Sequence, residues 1–443
     1  MVFSSGLFLL YFFPVFLLLY FLADKKYKNI FTLLASLFFY AWGAPDFVFI
    51  VAGSILIDFF LVRFIPESTP ARKKLLLGIS IAMNVGLLLY FKYANFFVEN
   101  VELLLGIEDS SWTKIALPIG ISFFTFQKIT YSVDIYRGVH KPLNRIWDYT
   151  LYILMFPQLI AGPIVRFNEI ADQLVDREKQ ETAENWFLGL FRFSIGLAKK
   201  VLVANVLGAQ ADEIFALQGA ELSTATAWIG IVAYSFQIYF DFSGYSDMAI
   251  GIGRMIGFKF PENFNNPYIS QNITEFWRRW HITLGRWMKD YLYIPLGGSK
   301  VSQGRMYFNL WIVFLISGLW HGASWNFVLW GAFHGFFLIL DKLFLIKILS
   351  KAGKLFSIVF TYLVTLVGWV LFKADDMSLS AYAYLKKMFS FDNTNFNIEY
   401  DKQFIVLLII AAILSFAAYT DKIKNLQDYL FLKEHNRKEA LLL

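Results

Sequence analysis

Long apolar runs alternate with short charged loops along the chain. The runs lie near residues 5–22, 29–43, 47–62, 75–91, 115–135, 148–165, 186–207, 226–257, 308–323, 325–346, 355–373 and 403–420. A bilayer-spanning helix needs about 20 mostly apolar residues, which several of these runs approach or exceed. The pattern predicts an all-α integral membrane protein with about ten to twelve membrane elements. We expect residues 1–443 to form a single polytopic domain, since no soluble domain of ordinary size fits between the runs.

The first apolar run, Leu7 to Leu22, is expected to remain as the first helix. No basic residue precedes it and no small-residue cleavage site follows it, whereas a removable signal peptide has both features.

The run from Ala227 to Gly257 exceeds one span and contains two carboxylates, Asp241 and Asp247. Each would cost about 2.5–3.5 kcal/mol at a helix centre. Both are therefore expected to face protein, water or each other, as polar residues of a chamber.

Prolines and glycines mark further irregular positions inside apolar runs. Pro118 with Gly120, and Pro157 with the Gly162-Pro163 pair, predict breaks in their helices. Irregular backbone at membrane depth is tolerated only inside protein or around a cavity. We therefore expect some broken or re-entrant elements and a core that encloses a chamber.

Charge sets the expected orientation. Only 17% of residues are charged, compared with about 25% in soluble domains. The loops at residues 24–28, 63–74 and 137–145 are basic, whereas those at 43–46 and 99–109 are neutral or acidic. The positive-inside rule then puts the N-terminus outside and the basic segment 276–305 on the cytoplasmic side, or re-entrant from it. The net charge of +6 is explained by these loops, so nucleic-acid binding is not expected.

The C-terminal segment 421–443 is rich in lysine, with Leu426, Tyr429 and Leu430 spaced among charges. This spacing predicts a basic tail that lies on the membrane surface and contacts lipid.

Histidine is the main candidate for chemistry, because the chain has no cysteine. His321 stands in an uncharged, aromatic-rich stretch, in the run Ser-Gly-Leu-Trp-His-Gly-Ala-Ser-Trp. It is either a buried histidine that forms a hydrogen bond with a neighbouring helix or a general base kept neutral by burial. The small residues Gly318, Gly322 and Ser324 favour the second interpretation, since they leave room for a substrate beside the ring.

Hydroxyl and second-histidine candidates lie nearby. Ser317 and Ser324 are at i−4 and i+3 from His321, so a serine–histidine acyl-enzyme is an alternative, but no Gly-x-Ser-x-Gly pattern frames either serine. His334 lies among small residues and is expected to pack or to support the site.

Cations and aromatics crowd into the segment 276–305, which includes His281. Such residues gather at the headgroup level in many membrane proteins, whatever their function. Guanidinium groups also match phosphates, so the segment is a candidate floor for a phosphate-bearing acyl donor. Its candidate donor-binding residues are Arg278, Arg279, Arg286, Trp277 and Trp280.

No His-Glu-x-x-His motif or tight His/Asp cluster indicates a metal site. Asp241 and Asp247 could instead relay protons or ions, so a transporter of an acyl group or polymer precursor is an alternative from another class.

The segment Phe276 to Gly298 with His281, followed by Trp320-His321-Gly322, closely resembles the membrane-bound O-acyltransferase (MBOAT) family and, within it, the alginate O-acetyltransferase branch. Residues 1–5, 156–166 and 241–247 are similar to that branch too. The resemblance implies a multi-helix membrane enzyme in which His321 takes the position of the family histidine and His281 that of the branch-typical second histidine.

The same resemblance implies acetyl transfer from a cytoplasmic donor, expected to be acetyl-CoA, with no permanently bound cofactor. It also implies a bacterial inner-membrane enzyme that works with a separate extracytoplasmic acetyltransferase to modify an exported or cell-envelope polysaccharide. D-alanyl or other acyl transfer to teichoic acid, by the related branch, is the alternative within the enzyme class. The ending Tyr-Leu-Tyr-Ile-Pro-Leu-Gly-Gly at residues 291–298 favours the acetyl-transferring branch.

Overall fold

The computed structural model describes residues 2–107, 112–219, 221–391 and 399–431. Over these ranges the regular structure is helical and contains no strand, which confirms the all-α prediction. The α-helices, numbered α1 to α21 in chain order, are Phe13–Leu22, Lys28–Gly43, Val48–Arg63, Pro70–Leu88, Ala94–Leu105, Ile121–Tyr136, Ile146–Leu154, Phe156–Leu159, Phe167–Val175, Ala183–Ala198, Asn205–Ala216, Thr224–Met255, Ile273–Arg279, Ile282–Met288, Gln303–His321, Trp325–Leu340, Ile346–Ala352, Lys354–Lys373, Ala381–Met388, Lys402–Phe416 and Asp421–Phe431.

Four helical segments within the described ranges are long and apolar enough to cross a bilayer, and a fifth apolar helix is shorter. The four are Pro45–Arg63, Pro70–Leu105, Lys354–Asp376 and Lys402–Tyr419, and the shorter one is Phe8–Leu22. Helices also cover most of the remaining predicted runs. The chain is therefore a helical membrane protein.

The contacts divide the described chain into two compact units. The first comprises Met1–Phe193 and Met248–Pro261, and the second comprises Ser194–Asp247 and Glu262–Leu443. The single polytopic domain expected over residues 1–443 stays a prediction.

In the first unit, the breaks at proline and glycine fall where the sequence indicates them. The helix α6 begins only after Pro118 and Gly120, and the 148–165 run divides into α7 and the one-turn α8. Gly120 has a φ of +79°, and a Cβ there would lie 2.6 Å from the carbonyl oxygen of Leu159. Only glycine allows both this conformation and this close approach.

A buried carboxylate, Asp58 on α3, organises polar groups in the first unit. It is fully buried and accepts hydrogen bonds from the hydroxyl of Ser80 at 2.5 Å, the amide of Asn84 at 3.0 Å and the hydroxyl of Tyr149 at 2.5 Å. Three helices, α3, α4 and α7, are joined in this way. Lys128 on α6 is also fully buried and donates to the hydroxyl of Ser54 at 3.1 Å.

We predict that Asp58→Ala destabilises the protein by several kcal/mol. It removes the shared acceptor of three buried donors, and each buried polar group left without a partner costs about 1–3 kcal/mol. Thermal unfolding of purified protein in detergent measures the effect. Asp46→Ala is the matched control, because Asp46 is exposed at the start of the same span. Equal unfolding temperatures for the two variants would contradict the assigned role.

A single long helix accounts for most of the 227–257 run. The helix α12 is continuous for 32 residues, past Asp241 and Asp247, so these carboxylates interrupt the apolar pattern but not the helix. Their charges are satisfied by neighbouring side chains, described below.

The basic segment 276–305 begins with two seven-residue helices, α13 and α14, followed by a π-helical turn at Lys289–Tyr293. At 1.5 Å per residue neither helix spans a bilayer, which fits a re-entrant or interfacial position. The first turn of α13 is fixed by the buried carboxylate of Asp341, which accepts from the backbone N–H and hydroxyl of Thr274 at 2.7 and 2.9 Å.

The predicted surface tail is helical over Asp421–Phe431, with Ile423, Leu426 and Tyr429 exposed at a spacing of three residues. The rest of the predicted tail, residues 432–443, lies outside the described residues.

Candidate active site

His321 is the last residue of α15 and lies among aromatic rings of the second unit. Its ring centroid is 5.1 Å from those of Trp330 and Phe372 and 4.9 Å from that of Trp320, all three in edge-on arrangements. Gly322 follows with extended backbone and ends the helix. The imidazole is thus carried on a helix end among aromatic rings, and it is only partly buried.

The helices α15 and α16 pack closely through glycine. A Cβ on Gly318 would lie 2.2 Å from the carbonyl oxygen of Phe327, and one on Gly331 would lie 2.3 Å from that of Phe314. The ring of Phe327 likewise fills the space beside Gly322. The expectation that Gly318 and Gly322 leave room for a substrate is therefore wrong, because protein atoms occupy this space.

His281 stands in the sharp connection between α13 and α14. It is 2% exposed and has φ 46° and ψ 53°, in the left-handed region. A non-glycine residue in this region is strained and needs surrounding contacts to hold it. Its Nδ1 lies 3.0 Å from Oδ1 of Asn263, and its ring meets that of Phe242 edge-on at 4.7 Å.

The structure brings His281 and His321 together, although forty positions separate them in the sequence. Trp320 contacts both rings, at centroid distances of 6.1 Å from His281 and 4.9 Å from His321. Both imidazoles thus pack against the same indole. Such a pair can hold a neutral base beside a second polar ring.

His334, on α16, belongs to the same aromatic cluster. It is 1% exposed, and a Cβ on Gly368 would lie 2.5 Å from its Nε2. Its ring meets those of Trp277 and Trp330 edge-on at 4.9 and 5.0 Å. These contacts make His334 a packing residue that supports Trp330, which in turn contacts His321.

The two predicted donor-binding tryptophans are part of the same core. Trp277 is partly buried and meets Trp330 at 5.4 Å, while Trp280 is 4% exposed and contacts Phe276 and Trp369. Both rings therefore belong to the aromatic core around the histidines, and their role in donor binding stays a prediction.

The three predicted donor-binding arginines differ in their surroundings. Arg278 and Arg286 are exposed. Arg279 forms an ion pair with Glu275 at 2.8 Å and donates to the carbonyl oxygen of Asn265 at 3.1 Å. Donor binding by these three arginines stays a prediction.

The carboxylates of α12 are paired with two lysines that the sequence analysis missed. Lys199 contacts Asp247 at 2.7 Å and Lys200 contacts Asp241 at 2.8 Å. Both lysines stand in a π-helical turn, Lys199–Ala204. The signal was present in the sequence, since two adjacent cations inside the apolar run 186–207 need anionic partners.

The two candidate serines have different environments. Ser317 is buried on α15. Ser324 donates its hydroxyl to Asp375 at 2.5 Å, and Asn326 donates to the other oxygen of the same carboxylate at 2.5 Å. Ser324 therefore anchors the start of α16 through Asp375, a residue that no motif in the sequence indicated.

Within the described ranges, histidine and carboxylate side chains do not gather in threes as a metal ion requires. The clustered chemical groups of this region are thus imidazoles, indoles and exposed guanidinium groups.

Comparison with known proteins identifies relatives over most of the chain. The model of the membrane-bound O-acyltransferase family, MBOAT, matches residues 71–346, which include both His281 and His321. The chain is 44% identical over 398 residues to a Pseudomonas aeruginosa protein named "Probable alginate O-acetylase AlgI", covering 88% of this chain and 75% of that protein.

Two further relatives have different printed names. The chain is 40% identical over 427 residues to a Helicobacter pylori "Peptidoglycan O-acetyltransferase", covering 88% of this chain and 80% of the relative. It is 29% identical over 231 residues to a Bacillus subtilis "Teichoic acid D-alanyltransferase", covering 49% of this chain and 56% of that protein.

Proposed function

The chain belongs to the membrane-bound O-acyltransferase family. From this premise we propose that it passes an acetyl group from a cytoplasmic donor across the membrane, to a hydroxyl of a polysaccharide or a partner protein, for O-acetylation of an exported or cell-envelope polysaccharide. The relatives with O-acetylase or O-acetyltransferase names support acetyl as the transferred group, since each covers 88% of this chain. The similarity to the D-alanyltransferase is weaker and covers only 49% of this chain. The observation that carries the proposal is the meeting of His281 and His321 around Trp320.

In the proposed reaction, His321 is the general base. Its neutral imidazole accepts the proton of the acceptor hydroxyl as the oxygen attacks the acetyl carbonyl carbon of acetyl-CoA. The tetrahedral intermediate then expels the CoA thiolate, which takes the proton from the imidazolium and leaves as the thiol. General bases typically contribute about 10²–10⁴-fold in rate.

The donor is proposed to dock at the basic segment 276–305. Arg278 and Arg286 are exposed there, and guanidinium groups match the geometry of phosphate. Trp277 and Trp280, in the same segment, pack in the aromatic core beside the histidines. No permanently bound cofactor is needed for this chemistry.

The proposed location is the bacterial inner membrane, with the N-terminus outside and the basic loops in the cytoplasm. The acetyl group thus crosses the membrane while the donor stays inside. A separate extracytoplasmic acetyltransferase is the proposed partner, and the polysaccharide is the final acceptor.

The proposal is tested by the chemistry of the modified polymer. A strain that lacks the native gene is complemented with this chain, and the envelope and exported polymers are purified and hydrolysed under mild base. We expect ester-linked acetate that disappears with the empty vector. Ester-linked D-alanine on teichoic acid would instead support the related branch. Solute flux that follows the proton gradient, without ester formation, would support a transporter using Asp241 and Asp247.

A further inference from the structure

Asn263 holds the His281 turn by four hydrogen bonds. Its backbone carbonyl accepts from the N–H of Ile282 at 2.9 Å. Its side-chain Oδ1 accepts from the backbone N–H of Thr283 at 3.3 Å and from the Thr283 hydroxyl at 2.8 Å, and it lies 3.0 Å from Nδ1 of His281. A single residue, 1% exposed, therefore holds the strained histidine in place.

The orientation of the Asn263 amide follows from its partners. The backbone N–H of Thr283 can only donate, so the atom that it faces must be the carbonyl oxygen and not the amide nitrogen. The Asn263 nitrogen correspondingly points away and donates to the hydroxyl of Ser246 at 3.1 Å.

This orientation decides the protonation of His281. Because Oδ1 cannot donate, the Nδ1 atom of His281 must carry the hydrogen in that bond. In a neutral imidazole the other nitrogen, Nε2, is then a pure acceptor. Nε2 is buried and has no hydrogen-bond partner among the residues that the structure describes. A buried acceptor of this kind costs free energy unless a ligand supplies a donor.

We propose that Asn263 is a positioning residue that fixes His281 in the Nδ1–H tautomer, so that Nε2 presents its lone pair to the acceptor hydroxyl beside His321. This inference rests on the proposed function for the identity of the hydroxyl, whereas the tautomer itself follows from the geometry alone. His281 then orients the hydroxyl by accepting its hydrogen bond, and His321 removes the proton during attack.

The tautomer is tested by nitrogen-15 NMR of the full chain, labelled only at histidine, in detergent micelles. The chain has five histidines, and the His281→Gln variant identifies the His281 signals by their loss. We expect a protonated Nδ1 and an unprotonated Nε2 at neutral pH in the unsubstituted protein. Observation of the Nε2–H tautomer at His281 would overturn the proposal.

Three variants separate positioning from general structure. Asn263→Ala is expected to lose the single Nδ1–H signature and to lower kcat about 10- to 100-fold. Asn263→Asp keeps the acceptor oxygen, so we expect it to keep the tautomer. Its added charge makes His281 more basic, which moves the acid limb of the kcat/KM profile to higher pH. Ser246→Ala removes only the partner of the Asn263 nitrogen and should keep the tautomer.

The outcomes also distinguish this inference from the proposed function. A confirmed tautomer in a protein that adds no acetate to any polymer would refute the function and leave the role of Asn263 intact. Acetylation by a protein whose His281 is the Nε2–H tautomer, or whose Asn263→Ala variant has an unchanged tautomer and rate, would refute the role of Asn263.

Discussion

Replacement of His321 by alanine is expected to lower acetyl transfer by about 10²–10⁴-fold, because no positioned base then accepts the proton of the acceptor hydroxyl. The effect should fall on kcat, since His321 lies in the aromatic core and not at the basic segment assigned to the donor. His321→Gln, which keeps a polar side chain without the basic nitrogen, should be as deficient. Ester-linked acetate per polymer, at equal protein level, measures both variants.

The control for His321 is His140→Ala. His140 is partly exposed in the first unit and contacts the ring of Phe167 at 5.6 Å, so its loss tests the general effect of removing an imidazole. We expect nearly normal acetylation by this variant. Normal acetylation by His321→Ala would refute the assignment of the base, and equal losses in both variants would show that the assay reports folding.

The apolar pattern predicted the helices well, because hydropathy over a long window depends little on tertiary contacts. The breaks near Pro118 and Pro157 were also predictable, since proline and glycine restrict or release the backbone locally. The sequence did not predict that α12 is continuous. Asp241 and Asp247 are neutralised by Lys200 and Lys199, and no local rule says which distant cation a carboxylate meets.

The residues of the candidate site stood out in the sequence, whereas the contacts that hold them did not. His321 and His281 stood out because ionisable rings are rare beside apolar runs. Asn263 carried no such signal, since its importance lies in three donors that converge on one oxygen across a turn. Similarly, the glycines near His321 indicated space in the sequence, and only the structure shows that α16 fills that space.

The same close packing leads to the second prediction of large effect. Gly318→Ala should destabilise the protein by about 1–3 kcal/mol or more, because its new methyl group meets the backbone of α16 and the two helices must separate. Since Gly318 lies one turn before His321, the separation should also displace the base and reduce acetylation. Thermal unfolding in detergent and acetate incorporation measure the two effects.

Gly304→Ala is the matched control for this prediction, because Gly304 is on the same helix and a Cβ there meets nothing within 4 Å. Alanine is favoured over glycine in a helix interior by up to about 1 kcal/mol, and some of this gain applies to both variants. We therefore expect Gly304→Ala to be as stable as the unsubstituted protein or slightly more so. If Gly318→Ala unfolded at the same temperature as Gly304→Ala and stayed active, α15 and α16 could not be in contact through Gly318, and the position assigned to His321 at the end of this helix pair would be wrong.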